Sequence, residues 1–430
     1  MKSCLNFAMF ASLLTCSTLH AEDWPSWRGP RHNGISTETG IATKWSRTEN
    51  VAWKVPLPGP AGATPVVSGD HIFLTSVDEA GQNLLLICIS TDGKELWSKE
   101  VAQGNLVARG DEGNSASPSP VTDGKHVWAF FGDGTLCCYD FDGKEVWKYN
   151  LQKKYGEFDI QFGMPTSPVL YNGVLYLQIM HGNMRTADPG VAYLLAVDGK
   201  TGKELFKTDR PSDGGYETKH GYASAMLAFT EKEPIIMMHG GDYISAHSLK
   251  DGHEFWRAGN FQPVEYDKFW RFVSSPSSNE GYIVVPTCKK GPTIGLKISQ
   301  DGSEYSELWR YDKTPDVPSP LIKDGLVYLC KEDGNLVCLE ADTGIEVYGL
   351  QRTHRQRHRA SPVYADGKIY LTARDGLVTV VKAGKEFEIL AQNTLADDSD
   401  PDESVSSSPV ISNGTLYLRS YDHLWAIREK

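Results

Sequence analysis

Arg355-Gln-Arg-His-Arg359 is the sharpest cluster of hydrogen-bond donors in the chain. Three guanidinium groups and an imidazole within five residues suit a carboxylate, sulfate or phosphate, because a guanidinium presents a planar fork of N–H donors to such oxygens. The same run could be a solvated loop balanced by Asp398, Asp400, Asp402 and Glu403. A second group holds Tyr266, Lys268, Trp270, Arg271 and Phe272. It could stack on a sugar, a quinone ring or a peptide, or pack as a lid on the fold beneath. Lys219-His220 sets an ammonium beside an imidazole and could do acid/base work, although a lone histidine is more often structural. No Cys-x-x-Cys-His haem motif occurs, and no Cys/His spacing matches a zinc site.

These groups share a position. Each lies just before one of eight anchors: Thr64-Pro65, Ser119-Pro120, Ser167-Pro168, Ser224-Ala225, Ser275-Pro276, Ser319-Pro320, Ser361-Pro362 and Ser408-Pro409. The anchors are spaced 55, 48, 57, 51, 44, 42 and 47 residues apart, the period of propellers and solenoids. The repeat from Ser319 shows the unit most clearly. Ser319-Pro-Leu-Ile-Lys-Asp-Gly-Leu-Val-Tyr-Leu329 is followed by Glu332-Asp-Gly-Asn-Leu-Val-Cys-Leu-Glu340 and Asp342-Thr-Gly-Ile-Glu-Val-Tyr348. Apolar runs of four to six residues separated by Asp-Gly or Thr-Gly read as an antiparallel meander, since Asp-Gly supplies the positive φ of tight hairpin turns. No stretch carries sustained helical periodicity, so the array reads as all-β.

Two columns support the alignment. After the last turn of each repeat stands an aromatic: Trp97, Trp147, Phe206, Trp256, Trp309, Tyr348 and Phe387. Before it stands a small residue: Cys88, Cys138, Ala196, Ala246, Gly295, Cys338, Thr379 and Ala426. The chain ends soon after Ala426 without an aromatic strand, while Trp53 precedes the first repeat. Joining the two completes an eighth sheet and leaves no open edge in the circle. The expectation is an eight-bladed β-propeller of four-stranded antiparallel blades. Seven blades remains an alternative, because the fourth and fifth repeats are degenerate.

In such a fold, the connection from the outer strand of one blade to the inner strand of the next crosses one face toward the channel mouth. The residues gathered there include Arg109, Asp111, Glu112 and Asn114; Asp159, Gln161 and Phe162; Tyr216, Glu217, Lys219 and His220; Asp316; and Asp402 and Glu403. Rigid scaffolds carry function on loops of this kind. From them, a ligand-binding set is Arg109, Asn114, Gln161, Lys219, His220, Trp270, Arg271, Arg355, Arg357, His358 and Arg359, with no catalytic or metal residue assigned.

Residues 1–21 read as an export signal, with Lys2 before the apolar stretch Cys4–Cys16 and Ala21 at the cleavage point. Lipid anchoring at Cys16 is not expected, because Thr15 stands where a smaller residue is preferred. Periplasmic or secreted location follows, with no transmembrane segment. Residues 22–50 form a leader, Asp23-Trp-Pro-Ser-Trp-Arg-Gly-Pro30 with Asn33-Gly-Ile-Ser36, whose tryptophans call for packing against the propeller of residues 51–430; a partner-docking arm is the other reading. The mature chain carries 42 basic and 55 acidic side chains, a net of −13, which argues against sequence-independent binding to nucleic acid or an anionic membrane. The partner expected is a protein or a small anionic or carbohydrate ligand, bound by a monomer.

Six cysteines remain after export, at 88, 137, 138, 288, 330 and 338. Three fall in the small-residue column and read as small buried hydrophobes. Cys330 and Cys338 lie on adjacent strands of one hairpin, and a disulfide between them is left open. Cys137-Cys138 lies within a strand, where neighbours point to opposite faces.

The repeat resembles that of pyrroloquinoline-quinone-type propellers over residues 51–427. The best match is Ala196-Val-Asp-Gly-Lys-Thr-Gly-Lys-Glu-Leu-Phe206, which fits Ala-x-Asp-x-x-x-Gly-Lys-x-x-Trp with Phe for Trp. The leader Trp24-Pro-Ser-Trp-Arg-Gly-Pro30 with Asn33-Gly34 looks like that of exported bacterial quinone-binding-like propellers. The resemblance implies the fold and two classes of function. One is dehydrogenases that oxidise alcohols or sugars with the quinone and calcium in the channel. The other is non-enzymatic scaffolds such as the propeller lipoprotein of the outer-membrane β-barrel assembly machinery. This chain spends its residues on blades and shows no recognisable calcium set or catalytic base. The favoured expectation is an exported, non-catalytic binding scaffold with its site on the loop face. The dehydrogenase and the outer-membrane assembly scaffold are the alternatives.

Overall fold

The structure, a computed structural model, describes residues 22–108, 112–259, 270–395 and 404–429. The export signal lies outside these residues, as do Arg109, Asp111, Tyr266, Lys268, Asp398, Asp400, Asp402 and Glu403.

The strands form eight antiparallel sheets of four. Blade one is Val66–Ser68, His71–Val77, Asn83–Ser90 and Glu95–Gln103. The six blades after it repeat that order, and the last is completed from both ends of the chain. The first turns take the expected form: Asp324, Asp366 and Asn413 stand at φ 53, 51 and 55°, each followed by a glycine at 70, 71 and 66°. Positive φ at both central residues is what a two-residue hairpin turn needs to match strand twist. Helix is confined to the single turns Gln152–Tyr155 and Tyr216–Lys219 among the described residues.

Middle strands are buried on both faces, because each blade is sandwiched between two others. Leu326–Cys330 is buried at every position. Cys137 packs with Phe73, Leu86 and Cys88 of blade one, whereas Cys138 packs with Leu177 and Leu195 of blade three. The vicinal pair thus divides between two interfaces. All six cysteines are free and buried. Cys330 lies opposite Leu336 and Cys338 opposite Tyr328, so the two are not cross-strand partners. Burial pushes the Cys330 and Cys338 thiols up to about 12.

The aromatic and small columns face each other across the third and fourth strands, as in Cys88 with Trp97, Cys138 with Trp147 and Gly295 with Trp309. A Cβ on Gly295 would fall 2.0 Å from the Trp309 indole, so the column must be small for the ring to lie flat. Each indole then reaches the last turn of the next blade. Trp53 Nε1 donates to Thr91 O at 2.9 Å, Trp97 to Phe141 O at 2.7 Å, Trp147 to Gly199 O at 2.8 Å and Trp309 to Ala341 O at 2.9 Å.

Blade seven departs from the expected register. Val380, not Thr379, takes the small-column position, opposite Tyr370 as Cys338 is opposite Tyr328. Phe387 precedes the outer strand Ile389–Thr394 and packs on Tyr348, 5.7 Å between ring centres. In Leu377-Val-Thr-Val-Val-Lys382 no acid follows the small residue by two positions, as Asp140 and Asp198 do elsewhere, so the register marker is lost.

The eight anchors share one device. The backbone N–H of each donates to the hydroxyl of the next: Thr64 to Ser119, Ser119 to Ser167, Ser167 to Ser224 and Ser224 to Ser275, at 2.9–3.0 Å. Ser275 to Ser319, Ser319 to Ser361, Ser361 to Ser408 and Ser408 to Thr64 complete a circle around the axis. The rim closes as well, with Val51–Pro56 pairing with His423–Ile427 and Trp53 opposite Ala426.

The leader runs over the ends of the inner strands. Trp24 and Val67 exchange two backbone hydrogen bonds of 2.9 Å, and Ile35 bridges Tyr364. Trp24, Ile41, Ala42 and Trp45 are buried among residues of blades one, seven and eight. Arg28 is fully buried and donates to Pro320 O at 2.8 Å, Pro362 O at 2.9 Å and Asn33 O at 3.0 Å. Burial alone pushes its guanidinium down to about 9. Trp27, beside it, lines the channel next to the anchor hydroxyls.

Candidate functional site: the channel mouth

Strand direction decides which side chains meet. The first strand of each blade leaves the anchor ring, the second returns, the third leaves and the fourth returns. The second turn of every blade therefore lies on the same face as the blade-to-blade connections. Together they enclose a cavity of about 400 Å³ at the channel mouth. The connections contribute Glu112, Phe162, Tyr222, Arg271, Asp316, Arg357 and Arg359. Second turns contribute Lys289, Glu332, Arg374 and Tyr421.

Charges are interleaved across the mouth. Arg359 Nη2 lies 2.7 Å from Glu112 Oε2 and 3.3 Å from Glu332 Oε1. Lys289 Nζ lies 3.3 Å from Asp316 Oδ2 and 3.7 Å from Glu332 Oε2. Asp316 stands at φ 76°, a strained backbone for a residue with a side chain. Burial, with the hydrogen-bonded Glu332 carboxyl beside it, pushes Asp316 up to about 6 against the weaker pull of Lys289. Burial would raise Glu332 as well, but the Asp316 hydrogen bond, Arg359 and Lys289 together hold it below the usual value. The two neighbouring carboxyls are thus pushed in opposite directions, Asp316 up and Glu332 down. Such separation of two neighbouring carboxyls follows from the cost of two negative charges at close range.

The other wall is aromatic. Phe162 meets Tyr222 edge to face at 5.9 Å, and the Arg271 guanidinium lies 4.5 Å over the Phe162 ring. Glu217, buried, holds Arg271 there through Nη1 at 3.0 Å.

Of the eleven residues singled out in the sequence, Arg271, Arg357 and Arg359 line this cavity. Arg109 is outside the described residues. The others lie outside its lining. Lys219 is buried, its ammonium capped by Asn183 O at 3.1 Å and by Thr186 O and Asp188 O, so it ties down the 182–190 loop. His220 bridges Gly182 O at 2.7 Å and the Tyr222 hydroxyl at 3.2 Å, and burial lowers it, leaving a neutral ring. Asn114 donates to Pro60 O at 2.7 Å and shapes its own turn. His358 is fully buried with Nδ1 3.1 Å from Gln356 O and is pushed down to about 4 by that burial. Trp270 packs against the blade-four and blade-five core. Gln161 is half-buried beside Phe162, and Arg355 is exposed.

Sequence reasoning missed Lys289, Glu332 and Arg374, because it followed only the connections into each anchor. The signal was present: Lys289-Lys-Gly291, Glu332-Asp-Gly334 and Arg374-Asp-Gly376 are the second turns of blades five, six and seven, and alternating strand direction puts them on that face.

Among curated protein sequences nothing matches this chain. Solved structures do. BamB from Moraxella catarrhalis superposes with a TM-score of 0.63 at 13% identity, covering 88% of this chain and 99% of its own. A europium-containing methanol dehydrogenase superposes at 0.67, also 13% identical, covering 94% and 90%. The computationally designed protein Ika8 superposes at 0.55 and 13% identity, covering 92% and 99%. Identity this low establishes a shared propeller and nothing finer. The family described as PQQ_2, outer membrane protein assembly factor BamB, matches residues 35–209, 86–287 and 240–429, three overlapping registers of one repeat. The eight-bladed ring, the anchor repeat and these matches agree: the chain belongs to the PQQ_2 family of β-propellers.

Proposed function

We propose that this chain is an exported, non-catalytic β-propeller that binds a small anionic ligand at the channel mouth. The observation that carries the reading is the cavity itself. Among the described residues Arg271, Lys289, Arg357, Arg359 and Arg374 line it against Glu112, Asp316 and Glu332, so cations outnumber carboxylates there in a chain whose overall charge is strongly negative. A positive concavity in an acidic protein focuses anions there. The anchor circle ties the walls together from beneath, and Trp27 of the leader lines the channel at the level of the anchor hydroxyls. The family's printed association with the outer membrane supports an envelope location.

A dehydrogenase using pyrroloquinoline quinone and calcium is the second reading, favoured by the same arginines, which fit the carboxylates of such a quinone. The donor set fits calcium poorly. Calcium takes six to eight oxygens, whereas Asp316 and Glu332 already face Lys289, and no group of three His, Cys, Asp or Glu side chains among the described residues is placed to hold a metal.

A thermal-shift screen of the mature protein against small anions and their uncharged analogues tests the proposal. Anions should raise the melting temperature of the native protein and not that of an Arg357→Gln/Arg359→Gln double variant. Stabilisation that survives the double substitution would place the site elsewhere.

A further inference from the structure

We propose that the mouth takes a small organic acid bearing a single carboxylate, which enters by replacing Glu112 on Arg359. The proposal rests on the mouth being the ligand site and narrows what that site accepts.

Arg359 is under-used as it stands. Its Nη2 alone meets both Glu112 and Glu332, while its Nε is buried without an acceptor among the described residues. A guanidinium carries five N–H donors arranged to meet a carboxylate two at a time. A carboxylate lying across Nε and Nη2 would satisfy both, which Glu112 in its present position does not.

Glu112 is the exchangeable partner. It arrives on the connection into blade two and meets an arginine from the connection into blade seven, so the pair spans the mouth. Its side chain is 28% exposed against 16% for Glu332. Glu332 sits in the tight turn between Leu326–Cys330 and Asn335–Glu340 and is also engaged by Lys289 and Asp316. Glu112 therefore serves as the site's own carboxylate, held on one nitrogen of Arg359 and replaceable there by the carboxylate of a ligand.

The surroundings set the ligand's charge and shape. Glu332, 3.3 Å from the same Nη2, repels a second negative charge, so a monoanion is preferred to a phosphate or sulfate dianion. Arg357, exposed and without an ion pair among the described residues, adds attraction for one carboxylate. The Phe162–Tyr222 wall, with Arg271 on the Phe162 face, offers a flat body a stacking surface.

The test is calorimetric titration of the full mature chain with benzoate, with benzamide as the uncharged isostere and inorganic phosphate as the tetrahedral anion. Glu112→Gln should bind benzoate about tenfold more tightly than the native protein, since it removes an internal competitor. Benzamide should not bind, phosphate should bind more weakly than benzoate, and Arg359→Gln should abolish binding while melting as a folded protein. If Arg359→Gln does not fold, Arg359→Lys keeps the charge, loses the fork and should lose binding too. Equal benzoate affinity in native and Glu112→Gln proteins, or phosphate binding as tight as benzoate, would overturn the exchange and leave the mouth as a general anion site. Benzoate binding unaffected by either Arg359 variant, or no binding of benzoate or phosphate to any form, would overturn both the exchange and the mouth.

Discussion

Thr64 and Ser408, 344 residues apart, are joined by one hydrogen bond, from the Ser408 backbone N–H to Thr64 Oγ1 at 3.0 Å. It is the link that turns eight successive anchors into a circle. The position requires a side-chain hydroxyl, and only threonine or serine occupies all eight places. Thr64→Val keeps the shape and removes the acceptor, leaving a buried N–H unpaired. Chemical denaturation should show a loss of about 1–3 kcal/mol. An unchanged midpoint would mean that the circle follows from the fold rather than supporting it.

The outer closure makes a larger demand. Trp53 lies opposite Ala426 and docks on the Thr91–Gly93 turn of blade one. Trp53→Ala should cost about 3–5 kcal/mol, as expected for emptying an aromatic site. Gly93→Ala should cost less but measurably, because its φ is +80° and a Cβ would come 2.8 Å from the Trp53 ring. Thermal melts of both variants would show the order, and a Gly93→Ala protein as stable as the native one would contradict the docking.

Arg28 ties the leader to two blades through Pro320 O and Pro362 O. Arg28→Met keeps the length and leaves those carbonyls without their donor. It also removes a buried, unpaired charge, whose desolvation is costly. The two effects oppose, so stability should change by about 1 kcal/mol or less while the leader loosens. Limited proteolysis should then cut within residues 22–50 faster than in the native protein; equal rates would contradict the anchoring role.

The fold was legible in the sequence because its signals are local and repeated. Ser-Pro anchors, Asp-Gly turns and paired aromatic and small residues each recur once per blade, and the missing outer strand at one end matched the spare strand at the other. Blade seven misled by one residue where Val380 stands in place of Cys, Ala or Gly. The site was less legible, because its residues come from turns that share no motif. Arg357 and Arg359 could be named from a run of donors. Lys289, Glu332 and Arg374 needed strand direction to bring them to the same mouth. Lys219 and His220 looked chemical in sequence, but three-dimensional packing gives them backbone carbonyls to hold.

Asp316 gives the protein a pH signature. Its carboxyl is raised from 3.8 to about 6, so between about pH 4 and 6 the folded state keeps a proton that the unfolded state has lost. Folded stability from this group therefore declines as pH rises through that window and levels off above it. Asp316→Asn does not titrate. Its stability relative to the native protein should rise between pH 4 and pH 6 and stay constant to pH 8, by an amount on the order of 1 kcal/mol or more. A difference that stayed flat from pH 4 to pH 8 would mean that Asp316 titrates as an ordinary surface carboxyl.

The central claim is that the mouth binds without turning over. The most direct test is a dye-linked oxidation assay over alcohols and sugars, with the purified mature protein pre-incubated with pyrroloquinoline quinone and calcium. The account predicts no dye reduction, whether or not the quinone's carboxylates engage Arg357 and Arg359. Saturable quinone binding accompanied by dye reduction, lost in the Arg357→Gln/Arg359→Gln double variant, would contradict it and make the mouth a catalytic site.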